Sequence, residues 1–191
     1  GIALGLISGY FGGWLDSFIS WFTDVLMAFP DILLALAIIA ILGPGINNAM
    51  LAIGIAFVPS FMRLTRSSVL ALREMTYIEA AKALGSSDAR ILVRHILPNS
   101  IRTLLVLITL GIGSSILAGA ALNFLGLGAE PPTAEWGAML NAGMKFVRQA
   151  WWLTVFPGLG IFLAVLSINL IGDAVSDAVA GTSIVSMQEK K

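Results

Sequence analysis

The sequence predicts an all-α fold, a polytopic membrane helix bundle with about five membrane segments. Hydrophobic residues make up 58% of the 191 residues and charged residues only 12%, whereas a soluble domain has about 25% charged residues. The mean hydropathy is +0.92. The apolar residues form long runs, and all five tryptophans lie near the ends of these runs, as is typical of a membrane–water interface. The chain is therefore expected to cross a membrane several times.

The first apolar segment, residues 1–13, is too short to cross a membrane alone, because a span needs about 20 residues. Glycine recurs in it at every fourth position, at Gly1, Gly5, Gly9 and Gly13. This spacing places the glycines on one helix face, where another helix can approach closely. Helix packing is the expected role of this face, with lining of a substrate pathway as the alternative. A turn at the membrane interface is predicted next, over residues 14–24.

Four longer spans are expected after this turn. Their approximate ranges are 25–42, 50–70, 101–124 and 151–171. Pro30 is expected to kink the first span near its start, and Pro157 interrupts the last. Pro59, followed by Ser60, lies inside the second span. Helices with such prolines often line pathways, since a neighbouring group must satisfy the freed backbone carbonyl; a purely structural kink is an equal alternative.

The span at 101–124 has a stripe of small and polar residues spaced four apart, at Gly111, Ser115, Gly119 and Asn123. In lipid such a stripe must face protein or water. Helix packing and pathway lining are both open for it, and Asn123 is the stronger candidate for lining. The candidate pathway-lining residues are therefore Pro59, Ser60, Ser115 and Asn123.

One long polar interval, Glu74–Pro98, separates the second of these spans from the third; we call it the polar loop. Seven of the eleven Lys and Arg residues lie in it or just outside its ends. The excess of positive charge places residues 71–100 in the cytoplasm. The loops at 43–48 and 126–150 then lie outside, and the second of them is too polar to span. Residues 1–180 form the predicted transmembrane domain and 181–191 a polar tail.

The polar loop is predicted to form two short helices. Thr76 followed by Glu79 fits a capping box at the start of the first, and Gly85 fits a left-handed stop after its end. Asp88 suits the start of the second helix, and Pro98 is expected to end or bend it. Tyr77, Ala81 and Leu84 share one face of the first helix, and Leu92 and Ile96 share one face of the second, and such amphipathic helices must rest on a surface. The sequence does not decide which surface the loop contacts. The alternatives are this chain itself, lipid headgroups and another subunit.

Composition excludes several functions. The chain has no cysteine, so disulfides and thiolate metal sites are excluded, and the single His95 cannot form a zinc site alone. His95 is therefore expected to be a packed loop residue. The net charge of zero gives no general affinity for nucleic acid. No phosphate-binding loop is present in the sequence, so any energy from ATP would have to come from a partner chain.

The polar loop also resembles a known motif. Glu79-Ala80-Ala81, then Gly85, then Leu97-Pro98 is similar to the EAA loop of ABC importer permeases. The family pattern has Ile where this chain has His95. Further stretches resemble the peptide/nickel branch of these permeases, and within it the C-type subunit: residues 10–14, 28–30, 124–128 and 131–140. The resemblance runs from residue 1 to about 178, and the family's first membrane helix has no counterpart in it.

The resemblance implies the fold and partners of a binding-protein-dependent permease in the cytoplasmic (inner) membrane of a prokaryote. Two permeases, this chain and a B-type subunit, would form the pathway. Two ATPases below them would bind ATP and Mg, and an extracytoplasmic binding protein would deliver the substrate. The chain itself would need no cofactor. Dipeptides, oligopeptides, nickel complexes and glutathione-like molecules are all substrates that the branch would allow.

The resemblance also assigns roles within the polar loop, which would act as the ATPase-coupling element. Its coupling residues would be Glu79, Ala80, Ala81, Lys82 and Gly85, with Leu97 and Pro98 locking the loop onto the next span. Lys82, Arg90 and Arg94 would meet acidic groups on the ATPase or anionic lipid, although an ordinary excess of cytoplasmic positive charge explains them equally well. Asp173, near the end of the last span, is a candidate partner for a basic residue such as Arg63 or Arg66.

Two other classes of protein compete with this hypothesis. A secondary transporter driven by an ion gradient places ionisable groups near the bilayer midplane, but here the charges gather at the ends of the spans. An intramembrane enzyme needs a nucleophile and a base, and one loop histidine without cysteine does not supply them. The sequence therefore favours a transport subunit that is not itself an enzyme.

Overall fold

The computed structural model describes residues 1–129 and 132–188, and every regular element in these ranges is a helix. The all-α prediction is confirmed. The helices are α1 (Ile2–Phe11), α2 (Gly13–Met27), α3 (Asp31–Leu42), α4 (Ile46–Arg73), α5 (Thr76–Ala83), α6 (Asp88–Ile91), a π-helix (Leu92–Ile96), α7 (Leu97–Phe124), α8 (Trp136–Met144) and α9 (Trp152–Gln188).

Two parts of the sequence-based description fall outside these ranges. Pro131, in one of the stretches that resemble the permease branch, is not among the described residues, nor are residues 189–191 of the predicted tail. The rest of that tail, residues 181–188, continues the helix α9.

Among the described residues, three helices are long and apolar enough to cross a membrane, over Ile46–Arg73, Thr103–Phe124 and Trp152–Ala178. By length and composition a fourth span is possible if α2 and α3, which are separated by a bend, count as one. The short apolar α1, with ten residues, is the remaining predicted membrane segment. The chain is therefore a membrane helix protein whose segments differ greatly in length.

The break between α2 and α3 corrects the predicted continuous span at 25–42. Pro30 does not kink a helix there but precedes one, since α3 begins at Asp31 and Pro30 has an extended ψ of 136°. Proline disfavours a helical conformation in the residue before it, and its fixed φ suits the entry to a new helix. A continuous span was predicted because residues 28–30 are apolar, but the helical hydrogen bonding is interrupted there.

The predicted interfacial turn at residues 14–24 is also wrong, because these residues lie inside α2. The turn occurs earlier, at Gly12 and Gly13, which both have φ of +64°. Only glycine adopts this left-handed conformation without strain, so two adjacent glycines end α1 and allow α2 to start in a new direction. The Trp and Asp residues of this segment therefore mark a helix surface.

The structure divides into two compact units. The first contains Gly1–Ala28, Val58–Ile108 and the described residues from Gly172 onward; it includes α1, α2, the end of α4 and the polar loop. The second contains Phe29–Phe57 and Thr109–Ile171, and so includes α3, the start of α4, most of α7 and α8. The candidate coupling residues from Glu79 to Pro98 thus all belong to the first unit.

In the second unit, α3 packs on α4 and α7 through small side chains. Ala35, Ala49, Ala52 and Ala56 are buried there with Ile39, Ile53 and Leu122. The short helix α8 lies tightly on α7, because a Cβ at Gly137 would collide with the backbone of Ala120. Its start is capped by Glu135, whose carboxylate accepts a hydrogen bond from the Ala138 amide at 3.0 Å.

In the first unit, the glycine face of α1 packs directly against α4. A Cβ built on Gly5 would lie 2.6 Å from the carbonyl oxygen of Met62, and one on Gly9 would lie 2.9 Å from Cβ of Val69. Real side chains do not approach so closely, so glycine is required at both positions. Helix packing, the role expected from the four-residue spacing, is what these two glycines do.

A Gly9→Ala substitution is therefore expected to destabilise the folded protein by roughly 1–3 kcal/mol, the usual cost of overpacking a tight contact. Gly54→Ala is the matched control, since Gly54 also lies in a helix but has no atom within 4 Å of its would-be Cβ. Alanine is a better helix former than glycine by about 1 kcal/mol, so the control should be neutral or stabilising. Thermal unfolding of the purified variants in detergent measures both, and equal effects would contradict this account of α1.

Candidate functional site

The polar loop rests on its own chain. Ile78 and Ala81 of α5 and Ile91 and Ile96 of the second helical stretch are buried in one cluster with Tyr10 of α1 and Val69 of α4. Three of the four loop residues in this cluster are fully inaccessible to solvent. Of the surfaces that the sequence left open, this chain itself is one that the loop contacts, at the ends of α1 and α4 next to the loop.

The inward face of α5 differs from the predicted one. Ile78 and Ala81 point into the cluster, whereas Tyr77 is exposed and Leu84 is 87% exposed. Residues three or four positions apart share a helix face, so the sequence spacing fits the pair Ile78 and Ala81 as well as the set Tyr77, Ala81 and Leu84. Ile78 is followed by the charged Glu79, and its burial was therefore not predicted. The outer surface of α5 accordingly presents Glu79, Ala80, Lys82, Ala83 and Leu84.

The end of α5 has the predicted left-handed glycine. Gly85 has φ of +77°, its amide donates to the carbonyl of Lys82 at 2.9 Å, and the Ser86 amide donates to the carbonyl of Ala81 at 3.0 Å. This pair of hydrogen bonds is a Schellman motif, which satisfies two of the last carbonyls of the helix. The chain thus leaves α5 in a direction that depends on glycine.

The start of α5 does not have the predicted capping box. Thr76 is the first helical residue, not the cap, and no side chain caps the helix. The residue before it, Met75, has an extended backbone, and its carbonyl accepts hydrogen bonds from the amides of Ile78 and Glu79 at 2.9 and 3.4 Å. The helix therefore begins one residue earlier than the pattern predicted.

The second helical stretch of the polar loop does not end at Pro98. It runs from α6 through the π-helix Leu92–Ile96 directly into α7. In the π-helix the Leu97 amide donates to the carbonyl of Leu92, five residues back. Pro98 has no amide hydrogen, and the wider π turn just before it accommodates that loss. Leu97 and Pro98 thus join the polar loop to the following span as one continuous helical run.

His95 lies within this π-helix and is half-buried. Its ring lies 6.5 Å from the ring of Tyr77, measured between centroids, at an interplanar angle of 49°. Its backbone carbonyl accepts a hydrogen bond from Asn99 at 2.6 Å. This placement agrees with a packed loop residue. Among the residues that the structure describes, no three His, Cys, Asp or Glu side chains come together to hold a metal ion.

A tyrosine from outside the polar loop contacts both of its helices. The hydroxyl of Tyr10 donates a hydrogen bond to Oδ1 of Asp88 at 2.6 Å. The ammonium of Lys82 lies 5.4 Å from the centroid of the Tyr10 ring, within the range of a cation–π interaction. Just before it, the carbonyl of Gly9 accepts a hydrogen bond from Arg73 at 3.1 Å. No pattern in the sequence predicted these contacts.

Two ion pairs connect α2 to α4. Arg66 pairs bidentately with Asp16, with two N–O distances of 2.6 Å, and Ser8 and Ser20 also donate hydrogen bonds to this carboxylate. Arg63 pairs with Asp24 at 2.6 Å. Both arginines, the candidate partners of Asp173, are thus paired with other residues. Acidic residues within an apolar helix need basic or hydrogen-bonding partners. This requirement was the signal in the sequence that could have predicted the pairing of Asp16 and Asp24.

The candidate pathway residues occupy different environments. Pro59 is buried and contributes to an apolar cavity of about 250 Å³ between α1, α2 and α4, and Ser60 beside it is half-buried. The Ser115 hydroxyl donates to the carbonyl of Gly111 at 2.7 Å. Asn123 is buried, and its amide donates to the Gly119 carbonyl at 2.9 Å and accepts from the Ala129 amide. These hydrogen bonds within the chain account for the burial of the polar Asn123 side chain. Its role in lining a pathway stays a prediction.

Comparison with known proteins agrees with this architecture. Residues 1–181 match the family model described as "Binding-protein-dependent transport system inner membrane component". The chain is 53% identical over 178 residues to a dipeptide transport system permease protein, DppC, of Alkalihalophilus pseudofirmus, covering 93% of this chain and 59% of the relative. It is 49% identical to the glutathione transport system permease protein GsiD of Pectobacterium atrosepticum, with the same coverage.

A third relative, GsiD of an Escherichia coli strain, is 50% identical over 169 residues, which cover 88% of this chain and 56% of the relative. The chain spans slightly under three fifths of the length of these relatives. The family description confirms the predicted inner-membrane location. On the match of nearly its whole length, this chain belongs to the family of binding-protein-dependent transport system inner membrane components.

Proposed function

We propose that this chain is part of the transmembrane permease of an ATP-driven importer for peptides or a related small solute such as glutathione. Its main structural support is the polar loop, whose α5 buries Ile78 and Ala81 on its own chain and leaves the opposite surface free. The names of the relatives, a dipeptide and two glutathione permeases, support the substrate class. A nickel complex is a further substrate that the sequence resemblance allows.

The proposed partners are a second permease, two ATPases that bind ATP and Mg, and a substrate-binding protein. The ATPase would contact the exposed surface of α5 formed by Glu79, Ala80, Ala83 and Leu84, which we call the docking face. Leu84 suits this role because an exposed leucine on a short cytoplasmic helix has apolar area to bury against another protein. Buried Ala81 would instead allow α5 to approach α1 and α4 closely.

In this proposal ATP binding moves the ATPases, and the polar loop transfers that movement to the spans. Gly85 fixes the shape of the loop, and Leu97 and Pro98 lie in the helical run that continues into α7. The substrate would pass between the two permeases, with Pro59, Ser60, Ser115 and Asn123 as the candidate lining residues on this chain. The chain supplies the moving element and the pathway wall, and the chemistry of ATP hydrolysis takes place in its partners.

Uptake of labelled Ala-Ala dipeptide and of labelled glutathione tests the proposal, in cells that lack their own uptake systems for both. The chain is expressed as part of its complete permease, together with its proposed partner permease, ATPases and binding protein. Uptake of either compound should require ATP hydrolysis by the ATPase. Uptake that persists when the ATPase is inactive would contradict the proposal and favour a gradient-driven transporter.

Cysteine substitutions on the two faces of α5 test the docking face directly, since the chain has no cysteine of its own. Ala83→Cys is exposed and, once labelled with a maleimide photo-crosslinker, should capture the ATPase in membranes. Ala81→Cys is the matched control, because Ala81 is buried in the cluster and should be labelled at least tenfold more slowly. If Ala83→Cys captures no ATPase while the transporter is active, α5 is not the docking element.

A further inference from the structure

We propose that Tyr10 is the positioning residue that holds the polar loop to α1, so that the loop and α1 move together. The inference rests on the proposed function, because it concerns how the movement of the loop reaches the spans. It assigns a role to a residue that lies outside the polar loop and is separated from Asp88 by 78 positions in the sequence.

The position of Tyr10 lets one side chain join both helices of the loop. Its hydroxyl donates to Asp88, the first residue of α6, at 2.6 Å. Its ring lies under the ammonium of Lys82, in the last turn of α5, at 5.4 Å. The side chain is 8% exposed, so water competes little for the hydroxyl. Asp88 is exposed, but a hydrogen bond to a carboxylate is stronger than one between neutral groups.

Tyr10 in turn belongs to a helix that is held firmly against α4. Gly5 and Gly9 bring the backbone of α1 into direct contact with α4, and Arg73 of α4 donates to the Gly9 carbonyl next to Tyr10. A force on α5 or α6 therefore reaches α1 through Tyr10, and α4 through α1. The loop is joined to α4 by the chain itself, whereas its described contacts with α1 are the apolar cluster and the two contacts of Tyr10 with Asp88 and Lys82. A hydrogen bond fixes direction and distance, which apolar packing does less strictly.

The competing explanation is that Tyr10 only fills space in the buried cluster. Tyr10→Phe separates the two, because phenylalanine keeps the ring and its packing but removes the hydrogen bond to Asp88. In the complete transporter in lipid nanodiscs, with Ala-Ala dipeptide or glutathione bound to its binding protein, we expect Tyr10→Phe to reduce the ratio of substrate-stimulated to basal ATP hydrolysis roughly tenfold. This is the order of the loss expected for a hydrogen bond to a charged group.

The chain offers a matched control in its other tyrosine, since Tyr77→Phe removes a hydroxyl from an exposed side chain of the same loop. Tyr77→Phe should keep a stimulation ratio within about twofold of the original protein. Asp88→Ala, which removes the carboxylate acceptor, should reproduce the loss seen in Tyr10→Phe, and the double variant should be no worse than either single one, because all three remove the same interaction. An unchanged ratio in Tyr10→Phe, or additive losses, would overturn the inference.

A rescue experiment separates positioning from a general loss of folding. Tyr10→Cys combined with Asp88→Cys removes the natural contact, and a short bifunctional thiol reagent then restores a covalent link at the same place. We expect the linked protein to recover most of the stimulation ratio; no recovery after complete cross-linking would contradict positioning by Tyr10. The proposed function fails separately, if the unmodified transporter shows no ATP-dependent uptake at all.

Discussion

Replacing Gly85 with proline is expected to reduce ATP-dependent uptake at least tenfold while leaving the amount of permease in the membrane nearly unchanged. Proline fixes φ near −65°, whereas Gly85 has φ of +77°. Proline also lacks the amide hydrogen that Gly85 donates to the Lys82 carbonyl at 2.9 Å. Both parts of the Schellman turn would be lost, and the chain would leave α5 in a different direction. Membrane insertion should continue, because it depends on the apolar spans.

A graded series at the same position separates backbone shape from side-chain size. A Cβ at Gly85 would have no atom within 4 Å, so any effect of Gly85→Ala comes from the left-handed conformation, which costs a residue with a Cβ roughly 1–2 kcal/mol. Asparagine tolerates this conformation better than alanine. Uptake should therefore fall in the order glycine, asparagine, alanine, proline. If the proline variant transported as well as the original protein, the shape of this turn would not matter for coupling.

The general class of the protein was predictable because it depends on composition, while the positions of the helix breaks were not. Every residue of 25–42 except Asp31 is apolar, yet the helix breaks just before Asp31. Hydropathy averages over many residues, and a break depends on one or two. Gly12 and Gly13 determine where α1 ends, but glycine is common in this sequence, so their presence alone did not distinguish a turn from a packing face.

In the candidate site, the features that depend on neighbouring residues were easier to predict than those that depend on distant ones. Gly85 follows a run of helix formers, and its left-handed turn is a local property. The contact between Tyr10 and Asp88 joins residues that no local pattern relates, and the pairing of Asp16 with Arg66 spans 50 positions. Alternative faces of an eight-residue helix such as α5 are also hard to separate, because tertiary contacts alone decide which one is buried.

The second large effect is expected at the ion pair between α2 and α4. Arg66→Ala should destabilise the folded protein by about 2–3 kcal/mol, because it leaves the Asp16 carboxylate in a mainly buried position without its bidentate partner. The side chains of Arg66 and Asp16 are 31% and 17% exposed, so the loss should be somewhat smaller than the roughly 3–5 kcal/mol that follows when a fully buried pair is broken. Ser8 and Ser20 still donate to the carboxylate, and they offset part of the lost interaction.

Arg63→Ala is a close control, because Arg63 lies on the same helix and also pairs with an aspartate of α2. Its pair with Asp24 has the same 2.6 Å distance, but the two side chains are 54% and 63% exposed. Exposed pairs contribute only about 0–1 kcal/mol, so Arg63→Ala should change the free energy of unfolding little. SDS-induced unfolding of both purified variants in mixed micelles gives the comparison. Equal losses would mean that burial does not set the strength of these pairs, and that the membrane around Asp24 excludes water as well as the protein excludes it around Asp16.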